Sequence, residues 1–319
     1  MAGLRRSAAG VDQEGGFTVL KHANDNERRL LVSFSGGETS GLMARVVKER
    51  MAHLYDRIIY VIANTSQENE ETLVFADECD RHFGLNLVWV EAEIRPEAGH
   101  GTRARVVDFT TASRNGEVFE AMIDKYGIPN RAHPHCSREL KARVVQAYAR
   151  SIGWAAGSYD TAIGIRVDEI DRISPSAKEH RLIYPLAESQ MFPSSKADVN
   201  DFWARMPFRL RLRGYQGNCK WCWKKSLRKH LTIISENPSA YDFPERMEAE
   251  KGHCGAGDKR RVFFREERST ADLRRLAAIT KFTPATDDAR QYQPSLFSPF
   301  LDVGDGCEDT CEVDYEEAA

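Results

Sequence analysis

The stretch LLVSFSGGETS, residues 30–40, decides the fold of this chain. Its apolar first half predicts a strand and its two glycines predict a turn. The apolar residues Leu42, Met43, Val46 and Val47 follow at helical spacing and predict a helix. A turn between a strand and a helix points several backbone N–H groups at one spot, where the helix dipole adds partial positive charge. The stretch therefore predicts an anion site, and phosphate is the anion expected.

The spacing of this turn excludes two common phosphate-binding motifs. No Gly-Lys-Ser or Gly-Lys-Thr closes it, as a Walker loop requires, and it lacks the three spaced glycines of a dinucleotide-binding turn. A flexible turn is the alternative interpretation, but a position between a strand and a helix favours the anion site. The candidate ligands are Ser33, Ser35, Gly36, Gly37, Glu38, Thr39 and Ser40.

The composition is that of an ordinary globular protein. Of its 319 residues 41% are hydrophobic, which is enough to build a core and excludes general disorder. No apolar run reaches transmembrane length and no signal-peptide core stands at the N-terminus, so we expect a cytoplasmic protein with no membrane partner. Seven cysteines in such a protein favour metal binding or catalysis over a disulfide framework. Cys79, on an apolar helical face, is predicted to be a core thiol.

Strands and helices alternate in the first half of the chain. Residues 57–63 form a continuous apolar run, which is typical of a buried parallel strand. Further strands are predicted at residues 86–90 and 161–165, and helices at residues 40–53, 68–83, 115–126 and 138–152. This alternation predicts an α/β fold with a parallel sheet, whose ligands bind at the carboxyl ends of the strands.

Four segments are predicted along the chain. Residues 1–29 form a flexible polar arm, residues 30–188 the α/β nucleotide-binding domain, residues 189–285 a smaller helical domain, and residues 286–319 an acidic tail. Helices are predicted in the helical domain at residues 197–206, 221–235, 244–251 and 270–280.

Basic and aromatic residues are interleaved between residues 203 and 229. Such a surface would bind nucleic acid, because cations meet phosphates while aromatic rings stack on unpaired bases. The alternative interpretation is a solvated helix face over a packed aromatic core. The rings concerned are Trp203, Phe208, Tyr215, Trp221 and Trp223.

Cys219 and Cys222 form a CxxC motif that is predicted to open the helix at residues 221–235. Two thiols at this spacing can bind one metal centre, and a helix N-terminus beside lysines would favour their thiolate forms. Zinc, an iron–sulfur centre and a redox dithiol are all compatible with one CxxC. Cys136 precedes another predicted helix and is expected to be the third ligand. The candidates for a fourth ligand are Cys254, His230, Cys307 and Cys311.

Five motifs, taken in order, resemble those of the PP-loop ATP pyrophosphatase superfamily, in its phosphoadenosine phosphosulfate (PAPS) reductase-like family. They are SGGETS at residues 35–40, ANT at 63–65, HCSRELK at 135–141, GIRVDE at 164–169 and GNCKWC at 217–222. The resemblance covers residues 30–273. It is closer to the divergent branch carried by phages and mobile elements, which is related to DNA-phosphorothioation and tRNA-thiolation sulfurtransferases.

This resemblance implies a PP-loop (adenine nucleotide alpha hydrolase-like) domain that binds ATP. The loop at residues 35–40 would hold the phosphates, Asn64 and Thr65 would lie near the adenine, and Gly164 and Arg166 would contact phosphate or substrate. Mg²⁺ is an expected cofactor, although Thr39 stands where many members carry Asp.

The cysteines match the iron–sulfur ligands of the sulfurtransferase relatives. The resemblance thus implies a [4Fe–4S] cluster on Cys136, Cys219 and Cys222, with zinc as the alternative metal. Cys254 lies in GHCG at residues 252–255, which only loosely matches the catalytic segment of sulfonucleotide reductases.

ATP-dependent sulfur transfer is the function we expect from these motifs. The substrate would be adenylated with release of pyrophosphate, and sulfur would then displace AMP, with Cys136 and Arg166 as catalytic residues. DNA or tRNA is the expected acceptor, and a cysteine desulfurase or a thiol the expected sulfur donor. A PAPS or APS (sulfonucleotide) reductase is the alternative enzyme. A nucleotide-binding module with structural zinc is the non-catalytic alternative.

Overall fold

A mostly parallel sheet of six strands forms the centre of the structure. The computed structural model describes residues 27–97, 99–255 and 259–287. The strands are β1 (Arg29–Phe34), β2 (Arg57–Asn64), β3 (Val88–Glu93), β4 (Arg103–Val107), β5 (Asp160–Ala162) and β6 (Leu182–Ile183). Their order is β4-β3-β2-β1-β5-β6, and the β3–β4 pair is antiparallel while the other neighbours are parallel. The predicted α/β class is confirmed.

Helices surround this sheet. They are α1 (Glu38–Val46), α2 (Glu70–Phe83), α3 (Glu117–Tyr126), α4 (His135–Ser137), α5 (Arg143–Ser151), α6 (Lys196–Ala204), α7 (Leu227–Glu236), α8 (Asp242–Lys251) and α9 (Thr270–Ile279). A π-helical turn, Arg138–Ala142, joins α4 to α5. Within the described ranges no helix is long and apolar enough to cross a bilayer. Most of the predicted arm and acidic tail, with Cys307 and Cys311, lies outside the described residues.

β1 lies inside the sheet because its residues from Leu30 to Phe34 are apolar, except for Ser33, and all are buried. β2 pairs with one side of β1 and β5 with the other, so the strand order reverses at β1. Ligands of open α/β sheets bind in the crevice at the carboxyl ends of the strands where the order reverses. The loop at residues 35–40 follows β1 and residues 163–166 follow β5, so both reach this crevice.

Each face of the sheet is covered by its own apolar core, and both cores include residues of the predicted helical domain. Side chains alternate along β1, so that Leu30 and Val32 face one core and Leu31 faces the other. The first core also contains Cys79, Val199, Trp203 and Phe208, and the second contains Trp221, Trp223, Ile233 and Ile234. The helical segment therefore shares its apolar contacts with the sheet, while the boundary at residue 188 stays a prediction.

Cys79 is fully buried in the first core, and burial raises the pKa of its thiol well above the ordinary range.

The helix predicted at residues 221–235 begins later than expected, so the prediction that the CxxC motif opens it is wrong. The helix starts at Leu227, where Ser226 caps it by accepting a hydrogen bond from the Lys229 N–H. Residues before that point are held in turns. The thiols of Cys219 and Cys222 therefore do not lie at a helix N-terminus, and the helix dipole does not act on them directly.

Strands β4 and β6 were not predicted, and strands β3 and β5 begin and end at residues other than those predicted. β4 lies at the sheet edge and has a mostly exposed, arginine-containing sequence. β6 consists of Leu182 and Ile183 alone, which is too short to be recognised as an apolar run. The strand predicted at residues 86–90 is Val88–Glu93, and the one predicted at 161–165 is Asp160–Ala162.

Gly41 allows α1 to pack against α6, and we predict that Gly41→Ala destabilises the protein. A Cβ at this position would lie 2.7 Å from Cζ2 of the buried Trp203 indole and 3.3 Å from Cζ of Phe75. Overpacking of this kind costs about 1–3 kcal/mol of unfolding free energy, measurable by urea denaturation. Gly101→Ala is the control, because its Cβ would meet nothing within 4 Å. Equal stability of both variants would contradict the packing.

Candidate functional site

The loop at residues 35–40 turns tightly around two glycines. Gly36 has φ +81°, and a Cβ there would lie 2.5 Å from Cγ2 of Thr72, so glycine is required for both reasons. The Ser40 hydroxyl donates to the Gly37 carbonyl at 2.9 Å and accepts from the Gly37 N–H at 3.2 Å. The first N–H groups of α1 have no acceptor within the helix. The loop therefore presents donors at the crevice, while Ser33 is buried in β1.

Arg166 connects the segment after β5 to this loop. Its Nη1 donates to the Thr39 hydroxyl at 3.0 Å, and it forms ion pairs with Asp168 at 3.0 Å and Glu169 at 3.3 Å. Burial alone would raise the pKa of Asp168, but the hydrogen bond and charge of Arg166 lower it. Gly164 is buried in the connection from β5. The structure thus brings together Thr39 and Arg166, two residues expected to share a site.

An open cavity of about 450 Å³ lies against the first turn of α1, and we call it the loop cavity. Its volume falls within the range of small-molecule sites. Its charged lining residues are Lys196, Arg209 and Arg213 against Glu38 and Asp287, and Thr39 and Asn218 are among its polar ones. Three cations face two carboxylates, so the lining has a small excess of positive charge, which favours an anionic ligand.

Asn218 ties the CxxC segment to the loop. Its Nδ2 donates to the Ser35 carbonyl at 2.8 Å. Asn218 is 2% exposed, and its Oδ1 has no hydrogen-bond partner in the described part of the chain; the same holds for the buried Ser35 hydroxyl. Buried polar atoms are normally satisfied, so these two atoms favour a bound ligand or an ordered water at this place.

The turn after β2 pairs with the CxxC segment through backbone hydrogen bonds. The Lys220 N–H donates to the Gln67 carbonyl at 3.0 Å, and the Asn69 N–H donates to the Asn218 carbonyl at 2.7 Å. The Trp221 indole N–H adds a bond of 2.6 Å to the Gln67 Oε1. These bonds fix the position of the CxxC motif relative to the strand ends.

Asn64 and Thr65 point into the protein. The Asn64 amide donates to Glu91 at 2.6 Å and to the Ser113 carbonyl at 2.8 Å, and the Thr65 hydroxyl donates to Glu68 at 2.7 Å. Both residues are buried, and neither lines the loop cavity. Their observed role is to hold the turn after β2, and a role in adenine recognition stays a prediction.

Cys136, Cys219 and Cys222 line one cavity of about 30 Å³, which we call the thiol cavity. Its further walls include Thr65, Lys141, Trp223 and Lys224. The space holds about one or two water molecules, so it has room for a single metal ion, whereas a larger group would require its walls to move. Across the described ranges, no three His, Cys, Asp or Glu side chains are already arranged around a metal position.

Buried ionisable side chains lie next to the CxxC segment. Cys219 Sγ lies 3.8 Å from Oε1 of Glu68. Burial raises the pKa of the Glu68 carboxyl, although the charge of Lys141 and the hydrogen bonds from Thr65 oppose this shift. Lys225 is buried as well, and its Nζ donates to the Cys219 carbonyl at 2.5 Å. The Lys225 side chain thus holds the backbone of the CxxC motif through the Cys219 carbonyl.

Neither candidate fourth ligand that falls within the described residues lines the thiol cavity. A Cβ on Gly127 would lie 2.4 Å from the Cys254 carbonyl oxygen, which places Cys254 beside the end of α3. His230 is buried and its Nδ1 lies 2.6 Å from the Tyr241 hydroxyl. Burial holds the pKa of His230 well below its usual value. The structure therefore brings three cysteines together.

The aromatic rings interleaved with the basic residues do not form a stacking surface. All five are buried, namely Trp203, Phe208, Tyr215, Trp221 and Trp223. The expectation that they stack on bases is therefore wrong, since their faces pack in the two cores. Several neighbouring arginines are exposed, namely Arg205, Arg209, Arg211 and Arg213. These exposed arginines form a basic surface, so binding of nucleic-acid phosphates stays a prediction.

Comparison with known proteins finds a distant relative in a phage. The "Uncharacterized nin region protein ORF290" of Escherichia phage lambda is 28% identical over 287 residues, which are 89% of this chain and 94% of the relative. No family model matches the chain, and no solved structure matches it. The similarity spans most of both chains, and the relative's name assigns no activity.

We predict that Asn64→Ala lowers the unfolding free energy by about 1–3 kcal/mol, because it leaves the buried Glu91 carboxylate short of a donor. Urea denaturation measures the effect. Asn115→Ala is the matched control, since Asn115 is exposed and bonds locally to Glu117; its change should stay within about 0.5 kcal/mol. Full stability of the Asn64 variant would show that the amide is free for another role.

Proposed function

We propose that this chain is an ATP-dependent sulfurtransferase of the PP-loop type, in which the loop cavity binds the nucleotide and the thiol cavity handles the sulfur. One observation carries the proposal. Asn218 lines the loop cavity and bonds to Ser35, and the next residue, Cys219, lines the thiol cavity. Because one fixed segment forms a wall of each cavity, a substrate activated in the first would lie beside the thiols of the second.

The first step would be adenylation. A substrate oxygen attacks the α-phosphorus of ATP, the bond to the β-phosphate oxygen breaks, and pyrophosphate leaves with the electron pair. Donors already fixed in place stabilise such developing charge. Here they are the first N–H groups of α1. The guanidinium of Arg166 does not line the loop cavity but bonds to the hydroxyl of Thr39, which does. Mg²⁺ bound to the nucleotide would share the charge, because Thr39 provides no carboxylate.

The second step would be displacement of AMP by sulfur. A hydrosulfide ion attacks the atom that bears the adenylate, forms a bond to sulfur, and breaks the bond to oxygen, so that AMP leaves with the electron pair. A persulfide on one cysteine could act as the nucleophile in place of hydrosulfide. In that case a second cysteine resolves the mixed disulfide, and an external thiol reductant must restore the pair.

The thiol cavity is also the proposed metal site. Three thiols are a soft ligand set that suits an iron–sulfur cluster or zinc. A [4Fe–4S] cluster on Cys136, Cys219 and Cys222 would supply an open iron position for sulfur, whereas zinc would be structural. The present volume has room for one zinc ion, but zinc as well as a cluster would require the cysteines to move, because no three ligand side chains in the described ranges surround one point. Metal analysis distinguishes the two.

A nucleic acid is the proposed acceptor. Arg209 and Arg213 line the loop cavity, and Arg205 and Arg211 are exposed on the same segment. Guanidinium groups that follow one another along an exposed segment suit a phosphate backbone.

A sulfonucleotide reductase is the second candidate function. It too would need a phosphate site next to cysteine thiols, as the loop cavity and the thiol cavity would provide.

We predict that Cys136→Ala, Cys219→Ala and Cys222→Ala each abolish sulfur incorporation into tRNA or DNA while ATP binding stays near wild type. Removing a residue that hydrogen-bonds to a metal ligand lowers metal affinity or activity roughly 10–100-fold. Removing the ligand itself should lower them at least as much. The assay measures pyrophosphate release and sulfur incorporation under anaerobic conditions, with iron, zinc and sulfide analysis. Cys254→Ala is the control and should retain activity.

Three outcomes would overturn this function. If the three variants kept both metal and activity, the thiol cavity would have no part in the chemistry. Sulfite release from a phosphosulfate nucleotide with a thiol, in the absence of ATP, would establish the reductase instead. A colourless protein with stoichiometric zinc and no turnover would favour a binding module.

A further inference from the structure

A carboxylate of the protein itself occupies the rim of the anion site. Glu38 is the first residue of α1, and its carboxylate receives two hydrogen bonds from Arg209, Nε to Oε1 at 2.9 Å and Nη2 to Oε2 at 3.0 Å. Both residues line the loop cavity. Arg209 belongs to none of the five motifs in the sequence.

This fork-shaped pairing is the geometry in which arginine binds phosphate. A guanidinium presents parallel N–H groups that match a carboxylate and a phosphate equally well. A carboxylate in the first turn of a helix also takes the electrostatic position that an anionic ligand would take. Glu38 therefore imitates the ligand and would repel a phosphate that enters the cavity.

The two partners differ in their freedom to move. The Glu38 side chain is 11% exposed, and its backbone carbonyl accepts a bond of 2.9 Å from the Trp203 indole. The Arg209 side chain is 48% exposed and lies on the segment that follows α6. Exchange of partner by Arg209 is therefore the simpler rearrangement, because it leaves α1 in place.

We propose that Arg209 is a phosphate-binding residue of the loop cavity and that Glu38 is its internal competitor. When a phosphate group enters, the guanidinium transfers from the Glu38 carboxylate to the phosphate. The unpartnered Asn218 Oδ1 can accept a hydrogen bond from a hydroxyl or amino group, and a nucleotide carries such groups as well as phosphate. The inference rests on the proposed nucleotide site, but it does not require sulfur transfer.

The test is isothermal titration calorimetry of the full chain with inorganic pyrophosphate and with ATP, with and without Mg²⁺. Glu38→Gln should bind pyrophosphate about 10-fold more tightly than wild type, and Arg209→Gln about 10-fold more weakly, which corresponds to one charged hydrogen bond. In the Arg209→Gln background, Glu38→Gln should have a smaller effect. Glu49→Gln is the control and should bind as wild type does, because Glu49 lies in the π-helical turn, Val47–Met51, that follows α1, where it is an exposed carboxylate paired with Arg45.

Weaker or unchanged pyrophosphate binding by Glu38→Gln overturns the inference, and weakening seen only with Mg²⁺ would make Glu38 a metal ligand instead. Thermal unfolding of each variant confirms that it is folded. The outcome is separable from that of the enzyme assay. If the variants follow the expected pattern but ATP yields no pyrophosphate, the sulfurtransferase proposal fails and the role of Arg209 stands.

Discussion

The backbone pairing between the turn after β2 and the CxxC segment is the contact on which the site depends. It joins residues 67–69 to residues 218–220, which lie about 150 positions apart in the chain. The pairing sets Cys219 beside Glu68 and brings the Asn218 amide to the Ser35 carbonyl. Without it, the glycine-rich loop and the thiols would belong to unconnected parts of the surface.

Packing on both faces of the sheet supports this contact. The Trp221 indole bonds to Gln67 and lies edge-on to Phe119 and Phe263 in one core. Trp203 packs against Phe75 in the other core and bonds to the Glu38 carbonyl. The aromatic residues that suggested a base-stacking surface thus fix the loop and the CxxC motif relative to the sheet.

Local patterns predicted the parts of the fold that depend on neighbouring residues. The run from Leu30 to Phe34, the two glycines and the helical spacing after them placed β1, the loop and the start of α1 to within two residues. The α-helix ends at Val46, however, where a π-helical turn, Val47–Met51, continues the predicted helix. Periodicity failed where a tertiary contact decides the structure. The CxxC motif lies next to a good helical pattern, but backbone bonds to the turn after β2 hold it outside the helix.

The site was predictable in its residue types and less so in its geometry. The cysteine spacing and the resemblance together named the three cysteines that the structure places around one cavity. The inward direction of Asn64 depends on Glu91 and Ser113, and the pairing of Glu38 depends on Arg209, 171 positions away. Such contacts between distant residues leave no local pattern in a single sequence.

The proposed sulfur transfer requires that the two cavities form one site joined by residues 217–219. A crystal structure of the anaerobically purified protein with α,β-methylene-ATP tests it most directly. We expect phosphates against the first turn of α1 and beside Thr39, with Asn218 in contact with the nucleotide and Cys219 on the other side of the same segment. A nucleotide bound away from this crevice, or a CxxC segment separated from Ser35, would contradict it.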